Sequence, residues 1–439
     1  MKIAEPIFLR CSGVTLKNRI AKAAMAEGVA DIKTSDPNKM HVTLYKKWAE
    51  GGVGLQITGH IMIDRIQKAA SNDPVLDSKS SKHWYKEYAS AATCNGTACI
   101  VQLNHPGRQA PRAVTKHPIA PSSVASSLPT SCFAVPRAMT EADIETVITQ
   151  FADSALLAKE AGFSGVEIHS AHGYLISQFL SPLYNVRTDQ WGGSIENRSR
   201  ILFRIVKKVR QLCGMDGFIL GIKINAADFL RGGLSEEDST EIIHKLDQDP
   251  LLDFIEVSGG NYENPVVVKG VDMKESTFKR EGYFQEFAAK LKKGLKNVPL
   301  MVTGGFRTLD GINKCLEEGL DLVGVGRPFC VDPDFPNRFM SLVDDRTLDH
   351  TPPSDAISVP WHEYQMRELG RGNKPNLEVA PETVVKELNS YVAAFSPQKD
   401  TSMLWIYLIG LFVLLITGAV TYYLLFLQPS AQVTETNTA

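Results

Sequence analysis

The sequence predicts an α/β chain: a closed (β/α)₈ TIM barrel, then a linker and one C-terminal transmembrane helix. Three observations carry this. Eight short apolar, β-branched runs recur through the first 330 or so residues. Helical patterns with caps and stops lie between several of them. The last part of the chain holds 25 consecutive uncharged residues, Met403–Leu427.

The strands are expected at Arg19–Met25, Val53–Met62, Ala98–His105, Gly165–Ser170, Ile219–Asn225, Phe254–Gly260, Leu300–Gly305 and Leu322–Pro328. They read as near-continuous apolar runs, the pattern of strands covered on both faces of a parallel sheet. Thr140 caps a helix that stops at Gly162, and Ser194 caps one that stops at Gly214. A doubly wound sheet is the competing fold. The barrel is preferred because no Gly-x-Gly-x-x-Gly follows the first strand. The expected domains are the barrel over 1–350, an extension and linker over 351–402, the membrane helix over 403–427 and a short tail over 428–439.

At about 1.5 Å per residue, the apolar segment reaches roughly 37 Å, enough for a hydrocarbon core of roughly 30 Å. Trp405, Tyr407, Tyr422 and Tyr423 sit near its ends, where interfacial aromatics belong. A buried core helix is the other reading, and such helices rarely stay apolar on every face for so long. Only 12 residues follow, Gln428–Ala439, without Lys or Arg, whereas Lys399, Lys386 and Arg371 precede the segment. The charge bias puts the barrel on the cytosolic side of a tail anchor, in the endoplasmic reticulum or the mitochondrial outer membrane.

Composition is that of an ordinary globular protein, 44% hydrophobic and 22% charged. The net charge of −2 and the absence of a basic stripe argue against nucleic-acid binding. Seven cysteines are scattered without a Cys-x-x-Cys pair, so they read as reduced thiols and no metal site is expected.

In a barrel of this kind, active sites lie at the C-terminal ends of the strands. Polar residues gather there: Gln102, Asn104 and His105; His169, His172 and Tyr174; Lys223 and Asn225. The last two strands end in Gly304–Gly305 and Gly326–Arg327, glycine turns plus a cation, which suit a phosphate. Tight turns that need glycine are the alternative there. His169 and His172 have H-x-x-H spacing, but no third ligand stands at zinc spacing. Together with Tyr174 they form a donor cluster for a carbonyl oxygen, and the phenol can act as a general acid.

These residues also carry a resemblance. The stretch "GVEIHSAHGYLISQFLSPLYNVRTDQWGGSIENRSR" resembles the signature of the Old Yellow Enzyme family, FMN-dependent NAD(P)H:flavin oxidoreductases or ene-reductases. So do "LKNRIAKAAM", "GGVGLQITGH", "VQLNHPGRQ", "IKINAADFLRGG" and "VGVGRPFCVDPDFP". The likeness covers roughly Pro6 to Arg338. It implies that Ala24, Met25 and Ala26 lie along the flavin, with Gly59 beside it and Gln102 on its pyrimidine edge. Lys223 would stand near N1 and O2, where a fixed cation stabilises the reduced form. Gly304, Gly305, Gly326 and Arg327 would hold the phosphate.

The implied activity is hydride transfer from NADH or NADPH, through FMN, to the activated C=C bond of an α,β-unsaturated carbonyl compound. His169 and His172 would grip the oxygen, and Tyr174 would supply the proton. One site serving both substrates would explain the missing dinucleotide fingerprint. The chain departs from the family at Ala26, where Thr or Cys is usual and a flavin hydrogen bond is lost. Lys223 stands where Arg is frequent, and the membrane tail is not a usual family feature. Two other functions fit the residues alone: a flavin-free barrel lyase or epimerase acting on a phosphorylated substrate, and a catalytically weak flavin-binding membrane adaptor.

Overall fold

The structure, a computed structural model, describes residues 1–249, 251–259, 284–348, 352–354 and 357–393. Eight parallel strands close into a barrel. They are β1 (Ile20–Lys22), β2 (Leu55–Met62), β3 (Ala98–Asn104), β4 (Gly165–Ser170), β5 (Ile219–Asn225), β6 (Phe254–Ser258), β7 (Leu300–Thr303) and β8 (Leu322–Val325). Closure comes from β8 pairing with β1, Val323 opposite Ile20 and Val325 opposite Lys22.

Helices α1 (Lys39–Glu50), α2 (Lys82–Ala92), α3 (Glu141–Ala161), α4 (Ile195–Cys213), α5 (Glu236–Gln248), α6 (Gln285–Lys292), α7 (Leu309–Glu317) and α8 (Phe335–Met340) follow the strands in turn. The expected caps are present. The Thr140 hydroxyl accepts from the Asp143 N–H, and the Asp143 carboxylate accepts from the Thr140 N–H, so two free amide donors are satisfied at once. Gly162 ends α3 at φ 99°, a left-handed conformation that glycine adopts without steric cost. Ser194 accepts from Asn197 N–H to start α4.

Strand ends differ from the sequence expectation in one consistent way. The first strand stops at Lys22 rather than Met25, and the seventh and eighth stop at Thr303 and Val325. Ala24–Ala26, Gly304–Gly305 and Gly326–Arg327 therefore lie past the strand ends. Apolar runs extend beyond the ladder because the barrel mouth is itself partly buried. Gly260, the expected end of the sixth strand, lies outside the described residues.

The N-terminal half of the barrel interior is apolar. Ala21, Leu55, Ile57, Ala98, Ile100, Ile219, Phe254, Met301 and Leu322 form one cluster. A hairpin of Ile7–Leu9 and Val14–Leu16 closes this end and adds Ile7, Leu9 and Leu16 to the cluster. Side chains alternate along a strand, so the next inward layer is two residues further on: Gln102 after Ile100, and Glu256 after Phe254. The interior thus turns from apolar to polar toward the end where the loops carry the site.

Among the described residues, those within 1–350 and 362–378 form one compact unit, and those within 351–361 and 379–393 belong to another. Among the described residues no helix is long and apolar enough to cross a membrane. The expected span, Met403–Leu427, lies outside the described residues.

Candidate active site at the C-terminal mouth of the barrel

The floor of the mouth is a row of four buried polar side chains on consecutive strands. Gln102 on β3 stands opposite Glu167 on β4, and Lys223 on β5 opposite Glu256 on β6. Gln102 Nε2 donates to Glu167 Oε2 at 2.7 Å. Lys223 Nζ is 2.7 Å from Glu256 Oε1. Burial, and then repulsion from Glu256, push the Glu167 carboxyl well above the usual carboxylate range, against the pull of Lys223. Glu167 is thereby biased toward its neutral acid form.

One step further along β4 stands the cluster of rings. His169 lies two residues beyond Glu167 on the same strand face. Its ring is 4.9 Å from that of Tyr174 and 5.1 Å from that of His172, both edge-on. His169 Nδ1 accepts from the Ala171 N–H at 3.3 Å, so the neutral ring carries its proton on Nε2. His172 Nε2 is 2.7 Å from Ser258 Oγ at the end of β6. Burial and the nearby Lys223 and His60 lower both histidines well below the ordinary imidazole range; for His169, His172 adds to this. Both are neutral hydrogen-bonding groups.

The loop that presents them is held against its own strain. His172 has φ 59°, which costs an L-residue about 1 kcal/mol. Its N–H donates to Asn225 Oδ1 at 3.1 Å, and its carbonyl accepts from Gln109 Nε2 at 2.9 Å. Tyr174 precedes the short helix Leu175–Leu180 and packs with Met62, Ala69 and Val75.

On the other side of Tyr174 is His60 from β2, its ring 5.7 Å away. Burial disfavours charge on His60, but Asp73, 3.2 Å from Nε2, together with Glu27 and Glu363 outweighs it and raises its pKa. Tyr174 thus stands between a neutral imidazole and one biased toward the cation.

The ends of β7, β8 and β1 meet at the opposite rim. Gly304 and Gly305 have φ 144° and 78°, conformations that a side chain would strain. Arg327 begins the short helix Pro328–Val331. A Cβ on Gly326 would sit 3.6 Å from Met25 Sδ, and Cys330 Sγ lies 3.7 Å from the same sulfur. Ala24 packs on the barrel core, and Ala26 is partly buried. Gly59 is placed by close approach: its N–H donates to Glu27 Oε1 and to Tyr45 Oη, each at 2.9 Å. A Cβ there would fall 2.3 Å from Glu27 Oε2.

All the site residues expected from the sequence therefore gather at one end of the barrel. Glu167, Glu256, His60, Asp73 and Glu27 were not among them. Glu167 and Glu256 did leave a signal, a charged residue inside the apolar strands "GVEIHS" and "FIEVSGG". The His60–Asp73 pair joins a strand to an irregular loop and has no local signature.

A family model described as NADH:flavin oxidoreductase / NADH oxidase matches residues 2–345. The chain belongs to that family. NADH-dependent flavin oxidoreductase iliE of Hypocrea jecorina (strain QM6a) is 36% identical over 383 residues, 82% of this chain and 94% of that protein. The iliE protein of Neonectria sp. (strain DH2) is 39% identical over 358 residues, 76% of this chain; the match spans only 46% of that protein's length. Morphinone reductase in complex with tetrahydroNAD superposes with a TM-score of 0.65 at 25% identity, over 81% of this chain and 94% of that one.

The oxidoreductase is of the FMN-dependent, NAD(P)H-using class, and its side chains suit that cofactor. Gln102 and Lys223 supply an amide and an ammonium of the kind that would bind a pyrimidine edge, and Gly304, Gly305, Gly326 and Arg327 supply backbone and a cation of the kind that would hold a phosphate. Thr303 Oγ1, beside Gly304, is buried without a hydrogen-bond partner among the described residues, a further polar group at that rim. Family membership overturns the flavin-free lyase or epimerase reading and places the chain among enzymes.

Proposed function

We propose that this oxidoreductase reduces the activated C=C bond of α,β-unsaturated carbonyl compounds at the expense of NADH or NADPH. The observation that carries the reading is the neutral pair His169 and His172 beside a buried tyrosine, at the end of one strand. FMN, when bound, supplies the hydride. His169 Nε2–H and the His172 ring orient the substrate's carbonyl oxygen and stabilise charge that builds on it. Neutral rings suit this role, because they donate without attracting a free anion. Tyr174 holds the proton destined for the carbon next to the carbonyl, and its burial keeps water away from that transfer.

The test is anaerobic. Purified protein is reduced with NADH and, separately, with NADPH, and a panel of enones is then added. Reoxidation by enones, with saturated carbonyl product, is the expected result. A flavin that NAD(P)H reduces but no activated alkene reoxidises would rule the substrate class out.

The proposal extends to location. Met403–Leu427 acts as a membrane anchor with the barrel on the cytosolic face of the endoplasmic reticulum or mitochondrial outer membrane. Its support is the run of 25 uncharged residues, with Lys399, Lys386 and Arg371 on the barrel side of it. Protease added to intact organelles should digest the barrel and spare a C-terminal tag. Release of the whole chain by alkaline carbonate would contradict the anchor.

A further inference from the structure

We infer that Glu256 is a positioning residue that sets the reduction potential of the bound cofactor: by holding the Lys223 ammonium, it withholds an uncompensated cation from the flavin. The inference rests on the FMN reading above. That reading makes Lys223 the fixed charge beside the part of the ring where electrons accumulate. In this chain the charge is not alone. Lys223 and Glu256 face each other in register across β5 and β6, 2.7 Å apart, and both are buried. Seen from a few ångströms away, such a pair is a dipole, and its field falls off faster than that of a bare ammonium.

The other groups around the row do not restore the charge. Glu167, next along the floor, is biased toward its neutral acid by burial and by Glu256, and Gln102 is neutral. His169 and His172, above the row, are held neutral. His60, across Tyr174, has Asp73 against it. Stability does not account for the pair. Burying two opposite charges costs about as much as their attraction returns, and an apolar residue, as at Phe254 two places earlier, would fill the barrel as well.

The experiment is a reduction potential measured on the FMN-loaded protein by equilibration with a reference dye. In a Glu167→Gln background, which prevents Glu167 from ionising once the repulsion of Glu256 is gone, Glu256→Gln keeps the shape and removes the negative charge. It should favour the reduced form ten- to hundredfold, an upward shift of about 30–60 mV for two electrons. Glu256→Asp, which keeps the charge, should stay within a few-fold of the parent. Lys223→Gln combined with Glu256→Gln removes both charges and should also stay close to the parent. That double variant decides the matter even if Glu256→Gln alone does not fold. If Lys223 acts as a bare cation, the double variant will instead disfavour reduction by tenfold or more, and Glu256→Gln will leave the potential unmoved. Either result overturns the inference. A protein that takes up no FMN overturns the cofactor reading with it, whereas a yellow protein with an unmoved potential overturns only the role of Glu256.

Discussion

Between β3 and β6 the barrel mouth is lined by side chains: Gln102, Glu167, Lys223 and Glu256 in the floor, with His169, His172 and Tyr174 above. Between β7 and β8 it is lined by backbone at Gly304, Gly305 and Gly326, with one guanidinium from Arg327. The first region is a set of titratable groups whose charges are fixed by one another and by burial. The second is backbone, at Gly304 and Gly305 in conformations that only glycine holds without strain. The contrast teaches a division of labour. Chemistry that must donate a proton or respond to charge needs side chains tuned by neighbours. Holding a group that is charged at all times needs only a rigid frame.

The largest effect should come from the side-chain region. Tyr174→Phe should slow alkene reduction about 10²–10⁴-fold while leaving reduction of the flavin by NAD(P)H near the parent rate. Stopped-flow measurement of the two half-reactions separates them. Equal slowing of both would mean that the tyrosine only packs, and the contrast between the regions would blur.

The backbone region should respond in binding. Arg327→Ala removes a charge-assisted contact of about 1.5–3 kcal/mol, so FMN should bind roughly ten- to a hundredfold more weakly to the apoprotein. Gly305→Ala forces a side chain onto φ 78°, a cost of about 1–2 kcal/mol borne by the folded chain with or without FMN, so it should lower the urea midpoint. Fluorescence titration with FMN reads the first variant and urea denaturation the second. If Arg327→Ala leaves binding unchanged, the frame is not at this rim.

Acid should act mainly through the side-chain region. The folded protein holds His169 and His172 below the unfolded imidazole pKa of about 6.5, so below that pH the unfolded chain binds more protons. Stability from these rings is fully present above about pH 6.5 and is lost as pH falls. The loss is at most about 1.4 kcal/mol per pH unit for each ring. Urea midpoints at pH 7.5 and 5.5 should separate, and His169→Gln with His172→Gln should narrow the gap. The smallest effect is expected at Ala26. Ala26→Thr offers the flavin one neutral hydrogen bond of about 0.5–1.5 kcal/mol, roughly a two- to tenfold change in the reduced-to-oxidised ratio.

Much of this architecture can be read along the chain. Apolar β-branched runs mark all eight strands, and Thr140–Gly162 and Ser194–Gly214 mark two helices to within a residue, because capping is a local matter of amide donors. His169, His172 and Tyr174 fall within six residues, so their cluster is visible at once. Strand ends are less legible: Ala24 and Met25 read as strand, yet the backbone there has left the ladder at the mouth.

The sequence by itself determined the strand runs, the caps, the glycines of the last two loops and the side chains available at the strand ends. Tertiary structure alone decided their state. Lys223 is paired because β5 and β6 adjoin in register, which brings Glu256, 33 residues away by number, to within 2.7 Å. Burial lowers both His60 and His169; His60 nevertheless leans toward the cation because Asp73 faces it, whereas His172, Lys223 and His60 lower His169 further. Charge inside a barrel depends on burial and on neighbours from other strands. Those distances are set only when the barrel closes.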